Sequence, residues 1–335
     1  MRLWSQQEAH SCNSNKGILC RMRLKINIIG VLLALCFTSD SQTYFDISKE
    51  YPCRGCGNYT VNLSSLKSYN SLEIQQVFNS IYKTGIEFNF PQGGCQQRAQ
   101  IMSMLLTQVY QIEHCKVWLF SPSDLYFKDN RKLIISDKNN LCKNNQIAWG
   151  YHVAPAVLVN QNGVIDTMVL DPSLKTEGPI ALRDWFKTMQ NSDVSKYTFL
   201  DPARYFFNAQ YDQNGNLTSV INGYFYEYDQ ASRDDLIMEK GLAVNDMAMY
   251  MYKKYMKPLM GSNSQDDLNK LNDLKAIFGN ATALDYLFSQ NTSAKTKITT
   301  QRYAVSNYPD LIKEARGVFN ERLIYWTSLT NKLIN

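Results

Sequence analysis

Two apolar runs, Val153 to Val159 and Val164 to Leu170, flank the turn sequence Asn160-Gln161-Asn162-Gly163. Asn-Gly between such runs is the strongest short-range signal for an antiparallel hairpin. A hairpin fixes register, and register here carries chemistry. If residues 160–163 all form the loop, His152 stands directly opposite Asp171. If Asn162-Gly163 alone makes the turn, the two are diagonal neighbours on one face. The separations are then ~5 Å or ~7–8 Å, and either lets a carboxylate orient an imidazole. Pro172 keeps Asp171 extended.

A nucleophile is supplied upstream. Phe88-Asn89-Phe90-Pro91 reads as extended and is stopped by Gly93-Gly94, after which Cys95 opens a helix to about Tyr110. Ala99, Met102, Leu105 and Val109 form the stripe of that helix. A cysteine attacks as its thiolate, and the partial positive charge of a helix N-terminus favours that form. The glycines leave room for a substrate backbone, and N–H groups of the first turn are free for a developing oxyanion. The base follows by elimination among three histidines, His10, His114 and His152. His10 belongs to the leader, and His114 lies beyond the far end of the Cys95 helix, roughly 25 Å away at ~1.5 Å per residue. His152 remains.

The net charge of +5 misleads about partners. Residues 1–39 carry Arg2, Lys16, Arg21, Arg23 and Lys25 against Glu8, which leaves the remainder near +1. No basic stripe interleaved with aromatics is present, which argues against nucleic acid. Arg21, Arg23 and Lys25 precede the apolar run Ile26 to Cys36 and then small and polar residues. That is the layout of a secretory signal peptide, too short for a comfortable membrane span. The expected location is therefore periplasmic or extracellular, with no stable membrane insertion after the signal is removed. Five cysteines lie beyond the leader: Cys53, Cys56, Cys95, Cys115 and Cys142. An odd number in an exported chain points to two bridges and one thiol, with Cys95 as the thiol.

The chain divides into a leader over 1–40, an N-terminal segment over 41–84, a catalytic domain over 85–230 and a helical region over 231–335. Helical spacing covers 71–84, and Val117-Trp118-Leu119-Phe120 reads as a strand. Residues 121–146 read as irregular around Leu133-Ile134-Ile135, and 181–189 as a helix. Gln213-Asn214-Gly215-Asn216 marks a second hairpin with aromatic flanks. Helices are then expected over about 232–257, 264–278, 281–289 and 308–333.

Three stretches carry a family resemblance. Phe88 to Ala99 is similar to the nucleophile region of the bacterial protein glutaminases, which are protein-glutamine deamidases. Ala148-Trp149-Gly150-Tyr151-His152-Val153-Ala154 is similar to their histidine motif, and Leu170-Asp171-Pro172-Ser173-Leu174 to their aspartate motif. The resemblance spans roughly 85–210, and Gly93 stands where the family motif has an acidic residue. It implies an α+β fold with a papain- and transglutaminase-like core, the nucleophile at a helix N-terminus packed on an antiparallel sheet. It also implies Cys95 as nucleophile, His152 as general acid/base, Asp171 as its orienter, and protein or peptide glutamine as substrate. Residues 41–84 would then serve as an occluding pro-segment. The chemistry needs no metal or organic cofactor. Gly94, Trp149 and Tyr151 are candidate substrate-binding residues, although aromatics beside a strand more often belong to the core. A transglutaminase or cysteine protease would use the same three groups. A secreted effector whose helical region binds a partner is the alternative from a different class.

Overall fold

A computed structural model describes residues 59–126, 128–211, 217–288, 302 and 305–334. The leader, Cys53, Cys56 and the tip of the second expected hairpin lie outside the described residues. Strand β1 (Ser68–Asn70) leads into helix α1 (Ser71–Tyr82), whose N-terminus is capped by Asn70 through its side chain and the Leu72 N–H. Helix α2 (Cys95–Gln108) follows, then β2 (Cys115–Phe120) and the single turn α3 (Pro122–Leu125). Strand β3 (Leu133–Ser136), inside the stretch read as irregular, pairs with β4 (Gln146–Trp149), which starts at its end, in a separate two-stranded ribbon. Short strands among so many Asn, Asp and Lys residues leave little alternation for a sequence reading to find.

The main sheet has six strands in the order β7-β6-β5-β2-β8, with β1 also paired to β5. These are β5 (Tyr151–Gln161), β6 (Val164–Val169), β7 (Ile180–Ala181) and β8 (Lys196–Leu200). All pairings are antiparallel except β1 with β5, which run parallel through Ser68↔Leu158. The hairpin closes as Gln161↔Val164, so the turn is the two-residue Asn162-Gly163 form. Both turn residues have positive φ, +55° and +91°, which Asn and Gly adopt at least cost. Helix α4 (Leu182–Lys187) packs on β6 and β7, and β9 (Arg204–Tyr211) pairs with β10 (Leu217–Glu227) as a second antiparallel ribbon.

The C-terminal part is helical, as expected: α5 (Gln230–Asp234), α6 (Ile237–Met251), α7 (Gln265–Phe278), α8 (Ala281–Phe288) and α9 (Pro309–Ile334). A π turn over Tyr252–Met256 continues α6. Helices α6 to α9 share one hydrophobic core with α1, α2 and β5. It includes Phe78, Ile101, Leu106, Val157, Met247, Phe278, Phe319 and Trp326. Ile74, Val77, Phe78 and Ile81 of α1 are all buried in it. The other face of the sheet carries a second core with Val117, Leu119, Trp149, Ala154, Trp185 and Phe186. Among the described residues, no helix is long and apolar enough to cross a membrane.

The expectation of two bridges among Cys53, Cys56, Cys115 and Cys142 is corrected at Cys115. Its side chain is a thiol, turned into the second core, and Sγ donates to the Ala156 carbonyl at 3.6 Å across the β2–β5 pair. Burial inside a sheet makes a small apolar thiol as fitting there as a bridge.

Candidate active site

Cys95 is the first residue of α2 and carries a free, half-buried thiol. The residue before it, Gly94, is the N-cap in the left-handed conformation with φ +80°, a state that suits glycine. The approach to the helix is tethered at three consecutive residues. Arg98 Nη1 donates to the Phe90 carbonyl at 3.2 Å, and Trp149 Nε1 to the Pro91 carbonyl at 2.9 Å. Gln92 Nε2 donates to Asp137 Oδ1 at 3.3 Å. Asp137 itself is fixed by the backbone N–H groups of Asn139, Leu141 and Cys142.

His152 is the second residue of β5, and Asp171 follows the end of β6. The backbone pairing of Leu170 N–H with the Pro155 carbonyl carries the ladder to the edge of the aspartate. The two-residue turn makes the pair diagonal neighbours, and His152 Nε2 lies 2.7 Å from Asp171 Oδ2. Trp185 Nε1 donates to the same oxygen at 2.8 Å, and the Ser173 N–H to Oδ1 at 3.2 Å. The imidazole is held between two indoles. Trp149 stacks on it with ring centres 4.3 Å apart and planes 10° apart, while Trp185 lies 5.6 Å away on a plane tilted by 22°. So confined a ring has one usable orientation.

The remaining ring nitrogen, Nδ1, has no hydrogen-bond partner of standard geometry, and the Cys95 thiol acts on the ring as a looser partner. Catalytic hydrogen bonds are commonly long before substrate arrives. Burial favours the neutral imidazole. The Asp171 carboxylate, by charge and hydrogen bond, and then the Cys95 thiol outweigh it and hold the His152 pKa up at about 9. Burial likewise opposes the Asp171 charge, but His152, Trp185 and Arg98 overcome it and leave the carboxyl below its ordinary range. Cys95, His152 and Asp171 line one narrow cleft together with Phe88, Arg98 and Met102.

The candidate substrate-binding residues occupy different surroundings. Trp149 is the platform of the imidazole and a member of the second core. Tyr151 packs against Trp118 at 5.6 Å and Phe207 at 4.8 Å, beside Cys95. Burial, then the nearness of Cys95 and Asp124, pushes its phenol well above the ordinary range. Gly150, between them, meets Asp124: a Cβ there would stand 2.5 Å from Oδ2. The open faces of Gly93 and Gly94 are filled by the C-terminal helices rather than left as a free shelf. A Cβ on Gly93 would come 3.2 Å from Ala281 Cβ, and one on Gly94 only 2.4 Å from Asn245 Nδ2.

His114 is settled by its own contacts. Its Nδ1 lies 2.9 Å from the Ile112 carbonyl, and burial lowers its pKa to about 4. It is a neutral core residue. Three neighbours of the site were not singled out from the sequence: Arg98, Trp185 and Asn245. Arg98 alone carried a local signal, since residues three apart on a helix share a face with Cys95.

Comparison with known proteins gives a family and several structural likenesses. The family model described as Glutaminase matches residues 71–189. The NMR structure of protein-glutaminase from Chryseobacterium proteolyticum is 20% identical, with a TM-score of 0.38, covering 55% of this chain and 89% of that one. A crystal structure of protein-glutaminase is 20% identical with a TM-score of 0.35, covering 51% and 83%. A crystal structure of pro-protein-glutaminase is 21% identical with a TM-score of 0.38, covering 54% and 61%. No curated protein matches the chain at a significant level. The segment from 71 to 189, which holds Cys95, His152 and Asp171, belongs to the glutaminase family.

Proposed function

We propose that this chain hydrolyses the side-chain amide of glutamine residues in proteins or peptides, with Cys95 as nucleophile, His152 as general acid and base, and Asp171 as its orienter. The observation that carries the reading is the buried 2.7 Å contact between His152 and Asp171 in a cleft that Cys95 also lines. The glutaminase match over the same residues supports the amide as substrate.

The steps follow from the groups. The Cys95 thiolate attacks the carboxamide carbon, and the oxygen gains negative charge beside the N–H groups of the first turn of α2. Protonated His152 gives a proton to the departing nitrogen, ammonia leaves, and a thioester remains on Cys95. Water then attacks the thioester carbon while neutral His152 accepts its proton. The C–S bond breaks, the thiolate is restored and the side chain is now glutamate. Asp171 keeps the imidazole in one tautomer and stabilises its charged form, the role the third member of such a set commonly has.

Export is part of the same reading. It rests on the basic and apolar pattern of residues 21–40.

The test is incubation with a glutamine-rich protein, following ammonia and mapping conversion to glutamate by peptide mass spectrometry. Conversion is expected with the natural chain and absent with Cys95→Ala. Incorporation of an added amine in place of hydrolysis would make the chain a transferase. Peptide-bond cleavage would make it a protease.

A further inference from the structure

Arg98 is the third residue after Cys95 on α2 and is 3% exposed. Its Nη1 is used on the Phe90 carbonyl, at 3.2 Å. Its Nη2 is buried without a hydrogen-bond partner, and the side chain lines the same cleft as Cys95, His152 and Asp171. An arginine keeps its proton in any protein environment, so this is a permanent buried charge. Such a charge is costly unless an opposite charge faces it. Pinning a loop through Nη1 explains one arm of the guanidinium and not the other.

The charged groups around it narrow what that opposite charge can be. Asp171 follows β6 and is already engaged by His152 and Trp185. Glu87, on the segment before α2, forms an ion pair with Lys253 of the C-terminal helical region at 3.4 Å and accepts from Asn89. His152, on β5, adds positive charge when protonated. With Arg98 and the imidazolium both positive, and the one Asp171 charge already spent on His152, the cleft is short of one negative charge. The thiol of Cys95 is the remaining group that can supply it. Burial weighs against the Arg98 charge, and the groups that favour it are Cys95 first, then Asp171 and Glu87.

We infer that Arg98 is a positioning residue whose guanidinium, through its unpartnered Nη2, is the counter-charge that keeps Cys95 as a thiolate beside protonated His152. The inference rests on the catalytic reading of Cys95 given above. It adds that two cations, not one, hold the nucleophile charged. No bond is made or broken by Arg98, and no proton passes through it.

The test reads the thiolate, not turnover. Iodoacetamide alkylation of Cys95, in the full chain, is followed across pH for the natural protein, Arg98→Lys and Arg98→Gln. Arg98→Gln should alkylate about tenfold more slowly near neutral pH, with its profile moved upward by about one pH unit. Arg98→Lys should recover most of the rate, since the charge is kept. Equal rates for Gln and the natural residue overturn the inference. Should Arg98→Gln fail to fold, the labelled natural chain decides by NMR: a neutral Cys95 thiol coexisting with His152 imidazolium overturns it. A chain that releases no ammonia yet loses alkylation in Arg98→Gln would refute the deamidase reading alone. Ammonia release with unchanged alkylation in Arg98→Gln would refute the counter-charge alone.

Discussion

His152 and Asp171 meet at 2.7 Å, and Trp185 donates to the same Asp171 oxygen from 2.8 Å. One carboxylate oxygen thus serves both an imidazole and an indole that stacks near that imidazole. The ring is oriented along its edge by charge and across its face by two aromatic planes. Asp171→Asn keeps the volume and removes the charge. The amide can present its NH2 toward Nε2, which favours the wrong tautomer. Ammonia release should fall by about 10⁴, the loss seen when the orienting aspartate of a serine-protease triad is changed to asparagine. A fall below about threefold would remove Asp171 from the reaction.

Trp185→Phe separates the two uses of that indole. The aromatic ring is largely kept, while the donor to Asp171 is lost. The cost should be about 1.5–3 kcal/mol in denaturant unfolding, the share of one hydrogen bond to a charged acceptor. Activity should fall about tenfold, with the alkaline edge of its pH profile moved, because Asp171 then meets His152 with altered strength. An unchanged pH edge would mean that Trp185 only fills space.

The pH dependence follows from the signs of the two shifts. An imidazole in the unfolded chain titrates near 6.5, and in the folded site His152 titrates at about 9. Its contribution to stability is therefore complete below the lower value and is lost as pH rises through the upper one. Asp171 is shifted downward. Its contribution is complete above the ordinary carboxylate range and is lost as pH falls through its lowered value. The melting temperature should lose this pair's contribution at both extremes, and His152→Gln should flatten the alkaline decline. Turnover should also fall above about 9, where the imidazole no longer carries the proton that ammonia needs to leave.

How much of this was legible in the chain depends on how local each signal is. Asn162-Gly163 between two apolar runs is local, and by itself it brings His152 and Asp171 within reach of one another. Its two-residue turn, with Gln161 paired to Val164, selects the diagonal geometry over the directly opposed one. The helix opening at Cys95 was equally local, through Gly94. Strand β8 was not, because Lys196-Tyr197-Thr198-Phe199-Leu200 is short and looks like any polar-aromatic stretch until β2 pairs with it. Strand β1 pairs parallel to β5, a non-local contact that no turn announces. Trp185 comes to Asp171 across 14 residues that turn back through β7, and Asn245 reaches Gly94 from the far side of the chain. Such roles are made by tertiary packing, and residue type alone does not carry them.

The contact between Gly94 and Asn245 gives the last prediction. Gly94 holds φ +80°, and a methyl group there would stand 2.4 Å from Asn245 Nδ2. Two costs are combined in Gly94→Ala. The left-handed backbone costs a residue with a Cβ about 1–2 kcal/mol. Displacing a buried side chain from a packed helix interface costs about 1–3 kcal/mol more. Asn245 is 4% exposed and its Nδ2 has no hydrogen-bond partner, so little is lost when it is truncated. Urea unfolding should therefore show Gly94→Ala destabilised by about 2–5 kcal/mol, and Gly94→Ala with Asn245→Ala restored to within about 1–2 kcal/mol of Asn245→Ala alone. The recovered part measures the steric contact, and the part that remains measures the backbone. If the double variant is as unstable as the sum of the two single ones, helix α6 does not press on the nucleophile loop, and Gly94 is there for its φ alone.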